Sequence, residues 1–405
     1  MDKPRLRHIQ AAPVRDGDRV LVRLSDPTGI SNRALFVAQE ALLLLSLLDG
    51  TRSMVDIQAE LVRQTGSLVL AADIQQFLDQ LDEALLLDTP RFRTRLRELQ
   101  DDPVRHPSSA GSAYAAEPAA LRQQLDALFA AEGLDTTQER HPANGQLVGL
   151  VAPHIDFERG GPSYAHAYAA LAPAVRDFDL FVVLGTAHSS QDSPYILTRK
   201  HFETPLGTLP TAGDLVDALA TRAGGDPFRE ELVHLGEHSI EFQVVFLQYL
   251  LGDHRAECLP ILCGSTEPHV TDGQSPSDAP AIAAFLDALR HVVADSSRRA
   301  CFIAGADLAH VGAHFGDDFD LTEELMNDVE IADRDALTHV ENLDAGGFYR
   351  AVYADANARH LCGVPPIYTL LSAVQASRCD LLDYRQALDF DIGCAVTFAS
   401  LALYA

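Results

Sequence analysis

Apolar residues are spaced in two different ways along this 405-residue chain. Over roughly the first 90 positions they recur at helical intervals. Ala34–Leu48 predicts a strongly apolar helix stopped by Asp49-Gly50, and Met54–Gln64 a second that Ser53 can cap and Gly66 ends. Asp73–Leu86 predicts a third, with Ile74, Phe77, Leu78, Leu81 and Leu85 on one face. Ahead of them Arg19–Leu24 alternates as a strand does, and Asp26-Pro-Thr-Gly29 is a turn signal. A strand-and-turn start followed by three short helices outlines a small winged-helix-type domain over residues 1–90. Residues 91–110, first Arg-rich and then rich in Pro, Ser and Gly, read as a linker with room for one short helix.

Beyond the linker the period changes. A helical pattern over Pro118–Glu132 carries Leu121, Leu125, Leu128 and Phe129 on one face, and a loop containing Thr, Asn and Gly follows. Short continuous apolar runs then appear, of the kind that form buried parallel strands: Leu147–Ala152, Asp179–Leu184, Ala256–Leu262 and Ala300–Ala304. Helical stretches separate or follow them, starting near Ser163 and covering Ala212–Arg222, Ser239–Leu251, Ala281–Ala294, Thr322–His339 and Ile367–Ala376. Pro268–Pro280, rich in Ser, Asp and Pro, reads as a surface loop. This alternation predicts an α/β domain over residues 111–405 with a mostly parallel central sheet flanked by helices.

The apolar runs break at residues that carry chemistry. Leu147–Ala152 leads into Pro153-His154, Asp179–Leu184 into Gly185-Thr-Ala-His188, and Ala300–Ala304 into Gly305-Ala-Asp307-Leu-Ala-His310. A single such His is more often tucked against a loop carbonyl than functional. Parallel topology, however, places all these strand ends on one edge, where open α/β sheets bind ligands. Imidazole and carboxylate are the usual ligands of divalent iron, copper or zinc, so the convergence points to a metal centre. Two further stretches join it. Glu237-His238-Ser239-Ile240-Glu241 sits at a helix start and reads equally as a helix cap with His238 exposed. Leu361-Cys362-Gly363, ahead of Pro365-Pro366, puts a Cys near a helix N-terminus, as a soft ligand, a nucleophile or a buried inert thiol. No zinc-finger spacing, GxSxG, P-loop or dinucleotide fingerprint occurs.

Charge and cysteine usage narrow the partners. A formal net charge of −27 argues against non-specific binding to nucleic acid or to anionic membrane, both of which want a basic face. The six cysteines (Cys258, Cys263, Cys301, Cys362, Cys379, Cys394) are scattered and read as free thiols in a reducing compartment. The N-terminal MDKPRLRHIQ lacks an apolar signal core and no apolar run nears bilayer-crossing length, so the expected location is cytoplasmic.

Eight motifs occur in order from about Pro107: SSAGSAYAAEPAALRQQLDALF, LVGLVAPHIDFERGGPSYAHAY, LGTAHSS, ETPLGTLP, GEHSIEFQVVFLQYL, LPILCGS, GADLAHVG and LCGVPPIYTLL. Together they resemble the Memo family, whose prokaryotic members are called AmmeMemoRadiSam system protein B. The resemblance implies a fold like that of class III extradiol dioxygenases of the LigB type, with a metal-capable pocket and iron as the expected metal, copper or zinc as alternatives. It places metal ligands at His154, His188 and Cys362, with His238, His310 and Asp307 as catalytic groups, further ligands or residues behind the ligands. It also implies a radical SAM protein and other proteins of that system as partners. The chain departs from the family pattern at Asp156 and Glu158, which add acid just beyond His154, and at Ser189, where many members carry another His. Over Leu21–Asp88, the phrasing ALLLLSLLDGTRSMVDIQAELVRQTG and IQQFLDQLDEALLLD resembles the PqqD-like domain, a peptide-recognition module found beside radical SAM enzymes. A peptide is the ligand that resemblance implies. A regulatory or oligomerising appendage is the alternative, whereas Asp56, Glu60, Asp73, Asp79, Asp82 and Glu83 on its helices disfavour DNA.

Overall fold

A computed structural model describes residues 2–16, 19–26, 28–31, 33–137, 145–190, 192–270 and 274–405. Pro27 in the expected Asp26–Gly29 turn, residues 138–144 of the loop before Leu147, and residues 271–273 of the Pro268–Pro280 loop lie outside the described residues. Contacts divide the chain into two units, Met1–Pro103 and Val104–Ala405.

The first unit opens with an antiparallel sheet of β1 (Gln10–Asp16), β2 (Arg19–Ser25) and β3 (Leu35–Ala38) in that order. Helices Ala41–Ser46, Met54–Thr65, Ala71–Glu83 and Pro90–Asp101 follow. Its own core gathers Leu24, Leu48, Ile57, Leu78 and Leu81. The Ser53 hydroxyl accepts from the Asp56 N–H and the Asp56 carboxylate accepts from the Ser53 N–H, closing the second helix's first turn. The expected Ala34–Leu48 helix is instead a strand and a short helix. Val37 pairs with Val22 and reaches the core from β3, so strand pairing overrides the local helical reading of that apolar run.

In the second unit the strands are β4 (Val104–Arg105), β5 (Leu147–Ala152), β6 (Leu180–Thr186), β7 (Tyr195–Leu197), β8 (His201–Thr204), β9 (Gly207–Leu209), β10 (Glu257–Cys263), β11 (Ala300–Gly305), β12 (Asp307–Val311), β13 (Arg378–Asp389) and β14 (Cys394–Tyr404). The main sheet runs β12-β14-β5-β11-β6-β10-β7, with β13 also paired to β14. Its four central strands, β5, β11, β6 and β10, are parallel, and antiparallel strands frame them. β4, β8 and β9 form a small separate sheet.

Helices cover both faces, which is why the central strands are continuously apolar. On β6, Leu180, Val182 and Leu184 pack into one core, and Phe181 and Val183 into the other. Each such side chain contributes roughly 1.5–3 kcal/mol when fully buried. Helices Pro118–Ala131, Phe157–Leu171 and Ser239–Leu251 supply the second of these cores. Helix Phe157–Leu171 begins earlier than the pattern near Ser163 suggested. Asp156 caps it by accepting the Arg159 N–H at 3.1 Å, and Gly160 and Gly161 lie inside it, pressed against Ile155 and Leu128. The β13–β14 hairpin was not anticipated. Cys394–Leu403 is buried along its whole length, and such a run shows no period by which a strand can be told from a helix. Among the described residues no helix is long and apolar enough to cross a membrane. All six cysteines are free thiols.

Candidate metal centre

Strand register brings the chemistry together. Ala152 of β5 pairs with Gly305 of β11, which pairs with Gly185 of β6, so these three strand ends lie in one row. The residues that follow, His154, Asp307 and His188, therefore emerge on the same edge. Two glycines then admit a helix to that edge. A Cβ on Gly305 would lie 2.5 Å from the Ser239 carbonyl, and one on Gly185 would lie 2.5 Å from Ser239 Oγ. Ser239 Oγ donates to the Thr186 carbonyl at 2.9 Å, and Gln243 Nε2 donates to the Pro153 carbonyl at 2.8 Å. The start of helix Ser239–Leu251, with His238 ahead of it, is thus fastened across the strand ends.

His154, His188 and His238 form a cluster in which one ligand atom from each lies within 4.8 Å of the others. The His188 and His238 rings stack at 5.2 Å, and His154 meets them edge-on at 5.0 and 5.6 Å. His154 is buried, while the side chains of His188 and His238 are each 37% exposed, so the cluster has a closed floor and an open side. The rings are oriented from behind. His154 Nδ1–H donates to the Gly305 carbonyl at 2.9 Å, and His188 Nδ1–H donates to Glu237 at 3.0 Å. His238 Nδ1 lies 3.4 Å from the same carboxylate. With Nδ1 committed in His154 and His188, Nε2 is the nitrogen those two rings offer to a ligand.

Cys362 and Asp307 approach the floor. Cys362 Sγ is 3.2 Å from His154 Nε2, and Asp307 Oδ2 is 3.6 Å from it. Asp307 Oδ1 is already occupied, accepting the backbone N–H groups of His154 and Ile155 at 2.9 and 3.3 Å. His310 donates its backbone N–H to Arg359 O at 2.8 Å, and its ring, with Nδ1 3.1 Å from the Leu308 carbonyl, stands edge-on to Phe315.

Electrostatics follow from these neighbours. Burial raises the Cys362 thiol, but His154 and His310 beside it outweigh that and hold it well below the usual thiol range. Burial lowers His154, and the adjacent Asp307 and Cys362 more than compensate, favouring its charged form. His188 is likewise pushed up, by Glu237 against burial. His238 goes the other way, down to about 4, because burial and the neighbouring imidazoles outweigh Glu237. Glu237 itself is held well below the ordinary glutamate range, since His188 and His238 offset its burial.

The Memo-like protein family matches residues 105–402. The chain belongs to the Memo family. A MEMO1 family protein of Aquifex aeolicus is 29% identical over 409 residues, covering 99% of this chain and 100% of its own length. One of Methanosarcina acetivorans is 31% identical over 303 residues, 74% of this chain and 98% of its own. One of Sulfolobus acidocaldarius is 30% identical over 274 residues, 66% of this chain and 86% of its own.

Within this Memo-family chain the structure groups His154, His188 and His238 in one cluster and brings Cys362 Sγ to 3.2 Å from His154 Nε2. Asp307 lies against His154, and His310 is close enough to bias the Cys362 thiol. Sequence reasoning passed over Glu237 as a simple cap. It does cap, accepting the N–H groups of His238 and Ser239 at 2.9 and 3.0 Å, but the same carboxylate also accepts from His188 N–H and Nδ1–H. The one signal for it was a glutamate directly preceding a candidate ligand. Asp156, by contrast, caps its helix and pairs with Arg159. The donor set suits a metal of borderline softness: three imidazoles, two of them with the outer nitrogen hydrogen-bonded, and a thiol biased towards thiolate.

Proposed function

We propose that this Memo-family protein holds one divalent metal, redox-active iron in the first instance or copper, and serves as a metal-dependent redox protein in a radical SAM-associated system; zinc, which has no redox chemistry, would fit only a non-redox role for the same site. The observation that carries the reading is the cluster's outward discipline: each imidazole has its Nδ1 engaged or closely approached by a protein oxygen, leaving the Nε2 edges for a common ligand. His154, His188 and His238 would hold the metal, with Cys362 as a soft fourth donor. A bound iron or copper would supply electron transfer and a position at which a small substrate is polarised.

The surrounding residues have separable tasks. Asp307 fixes the backbone at His154 through Oδ1, while its second oxygen increases that imidazole's basicity. His310, its Nδ1 anchored on Leu308, is the group suited to carry a proton beside Cys362. A ring-cleaving extradiol centre of two His and a carboxylate is disfavoured. A third imidazole, His238, and the Cys362 thiol stand at this site, and neither belongs to that triad.

The test is metal analysis of protein purified anaerobically without a His tag, followed by oxygen uptake with iron(II) and a catechol panel. Wild type should carry stoichiometric metal, and His154→Ala and His188→Ala should each lose it while keeping their circular dichroism. Normal metal content in both variants would remove the site assignment. A second reading, a non-catalytic metal- or peptide-binding partner that presents a substrate to a radical SAM enzyme, is favoured by the separately cored Met1–Pro103 unit. Its solvent-exposed Phe36, Val55, Leu68 and Leu70 suit a binding role. Metal retention without any oxygen uptake would favour it.

A further inference from the structure

Arg105 is fully buried and lies outside the ligand set, yet among the described residues the polar partners of its side chain beyond its own segment all belong to the stretch that delivers Glu237 and His238. Its Nε donates to the His234 carbonyl at 2.9 Å and Nη2 to the Glu237 carbonyl at 2.7 Å, spanning the two ends of the short turn His234–Glu237. Nη1 pairs with Glu241, in the first turn of the following helix, and Nη2 also donates to Ser108 Oγ at 2.9 Å. Glu241 is closed off by the N–H groups of Ser108 and Ser109, both at 3.0 Å, and by the Tyr114 hydroxyl. We infer that Arg105, paired with Glu241, is a positioning residue for the metal ligands. It clamps both ends of the His234–Glu237 turn so that the Glu237 carboxylate meets the outer edges of His188 and His238.

Stability alone does not account for this arrangement. Burying an ion pair costs desolvation that its Coulomb attraction barely offsets, and well-packed apolar replacements are often neutral or better. Reaching two carbonyls and a carboxylate from separate nitrogens held in one plane suits Arg, whereas Lys has all its donors on one nitrogen. The two carbonyls point inward where water does not reach, so they need these donors to keep the turn in place. The inference rests on the metal reading for its consequence, although not for its geometry.

The experiment uses the full chain in three forms: wild type, Arg105→Met with Glu241→Gln, and Arg105→Lys. Cobalt(II) titration by absorption reads affinity, 15N-labelled histidine spectra of the metal-free protein read the imidazole N–H groups, and thermal melting reads the fold. The double variant strands no charge and should melt cooperatively. It should bind cobalt about 10–100-fold more weakly, as expected when support behind a ligand is lost, and shift the His188 Nδ1–H resonance. Arg105→Lys should give a smaller change in the same direction. An unchanged cobalt Kd with unchanged imidazole resonances in a folded variant overturns the inference. If the double variant fails to fold, Arg105→Lys decides by the same two readouts. If wild type takes up no cobalt, the metal reading fails, and the imidazole resonances alone decide the role of Arg105.

Discussion

At the scale of single residues, the site depends on what is missing as much as on what is present. Gly305 lets the Ser239 carbonyl come within reach of the strand end, and its own carbonyl orients His154. A methyl group there would sit 2.5 Å from backbone and 2.8 Å from Gln243 Nε2, so the helix bearing His238 must move away. Gly305→Ala should therefore cost about 1–3 kcal/mol in chemical denaturation and reduce metal content as well. Gly213, at the start of helix Gly213–Ala223 with nothing within 4 Å of its missing Cβ, is the control. Gly213→Ala should be neutral or stabilising by less than about 1 kcal/mol. Equal melting of the two variants would defeat the packing argument. The sequence exposed candidate ligands at this scale, because His154 and His188 each stand just past an apolar run, as does Asp307 behind His154. It hid the supports. A Gly ending a strand looks like any turn, and Glu237 looks like any helix cap.

At the scale of elements, legibility followed burial geometry. The four parallel strands were readable because both their faces are covered and their residues are continuously apolar. The hairpin β13–β14 and the division of Ala34–Leu48 were not, since both depend on partners distant in sequence or on pairing that local pattern does not encode. The strut from β4 to helix Ser239–Leu251 belongs to the same class: nothing in the sequence links Arg105 to Glu241. It has a pH signature. Burial would raise the Glu241 carboxyl, but Arg105, Tyr114 and Ser108 outweigh this and hold it below the ordinary glutamate range. A carboxyl lowered in the fold binds its proton more readily when unfolded. Its contribution is therefore complete above about pH 4.5, the range of the unfolded side chain, and fades as pH falls through the lowered folded value. Denaturation midpoints of wild type should fall more steeply between about pH 5 and pH 3 than those of Arg105→Met with Glu241→Gln. Parallel curves would show that Glu241 contributes no such linkage.

For the molecule as a whole, the division into Met1–Pro103 and Val104–Ala405 decides where a metal can act. Each unit has its own hydrophobic core, and the whole His154–His188–His238 cluster lies in the second. The Aquifex aeolicus protein aligns across 99% of this chain, whereas the Methanosarcina acetivorans protein aligns across 98% of itself and only 74% of this chain. A ligand that binds only the folded form stabilises by mass action, about 2.7 kcal/mol at a hundredfold excess over its Kd. That gain falls on the unit whose side chains hold it. Differential scanning calorimetry of the full chain should accordingly resolve two transitions. Saturating iron(II) or cobalt(II) should raise only the larger one, which belongs to Val104–Ala405. In His188→Ala the metal-dependent increment should vanish while the smaller transition stays where it was. Movement of both transitions together on adding metal, in wild type and in the variant alike, would mean that the ion acts elsewhere than at this cluster.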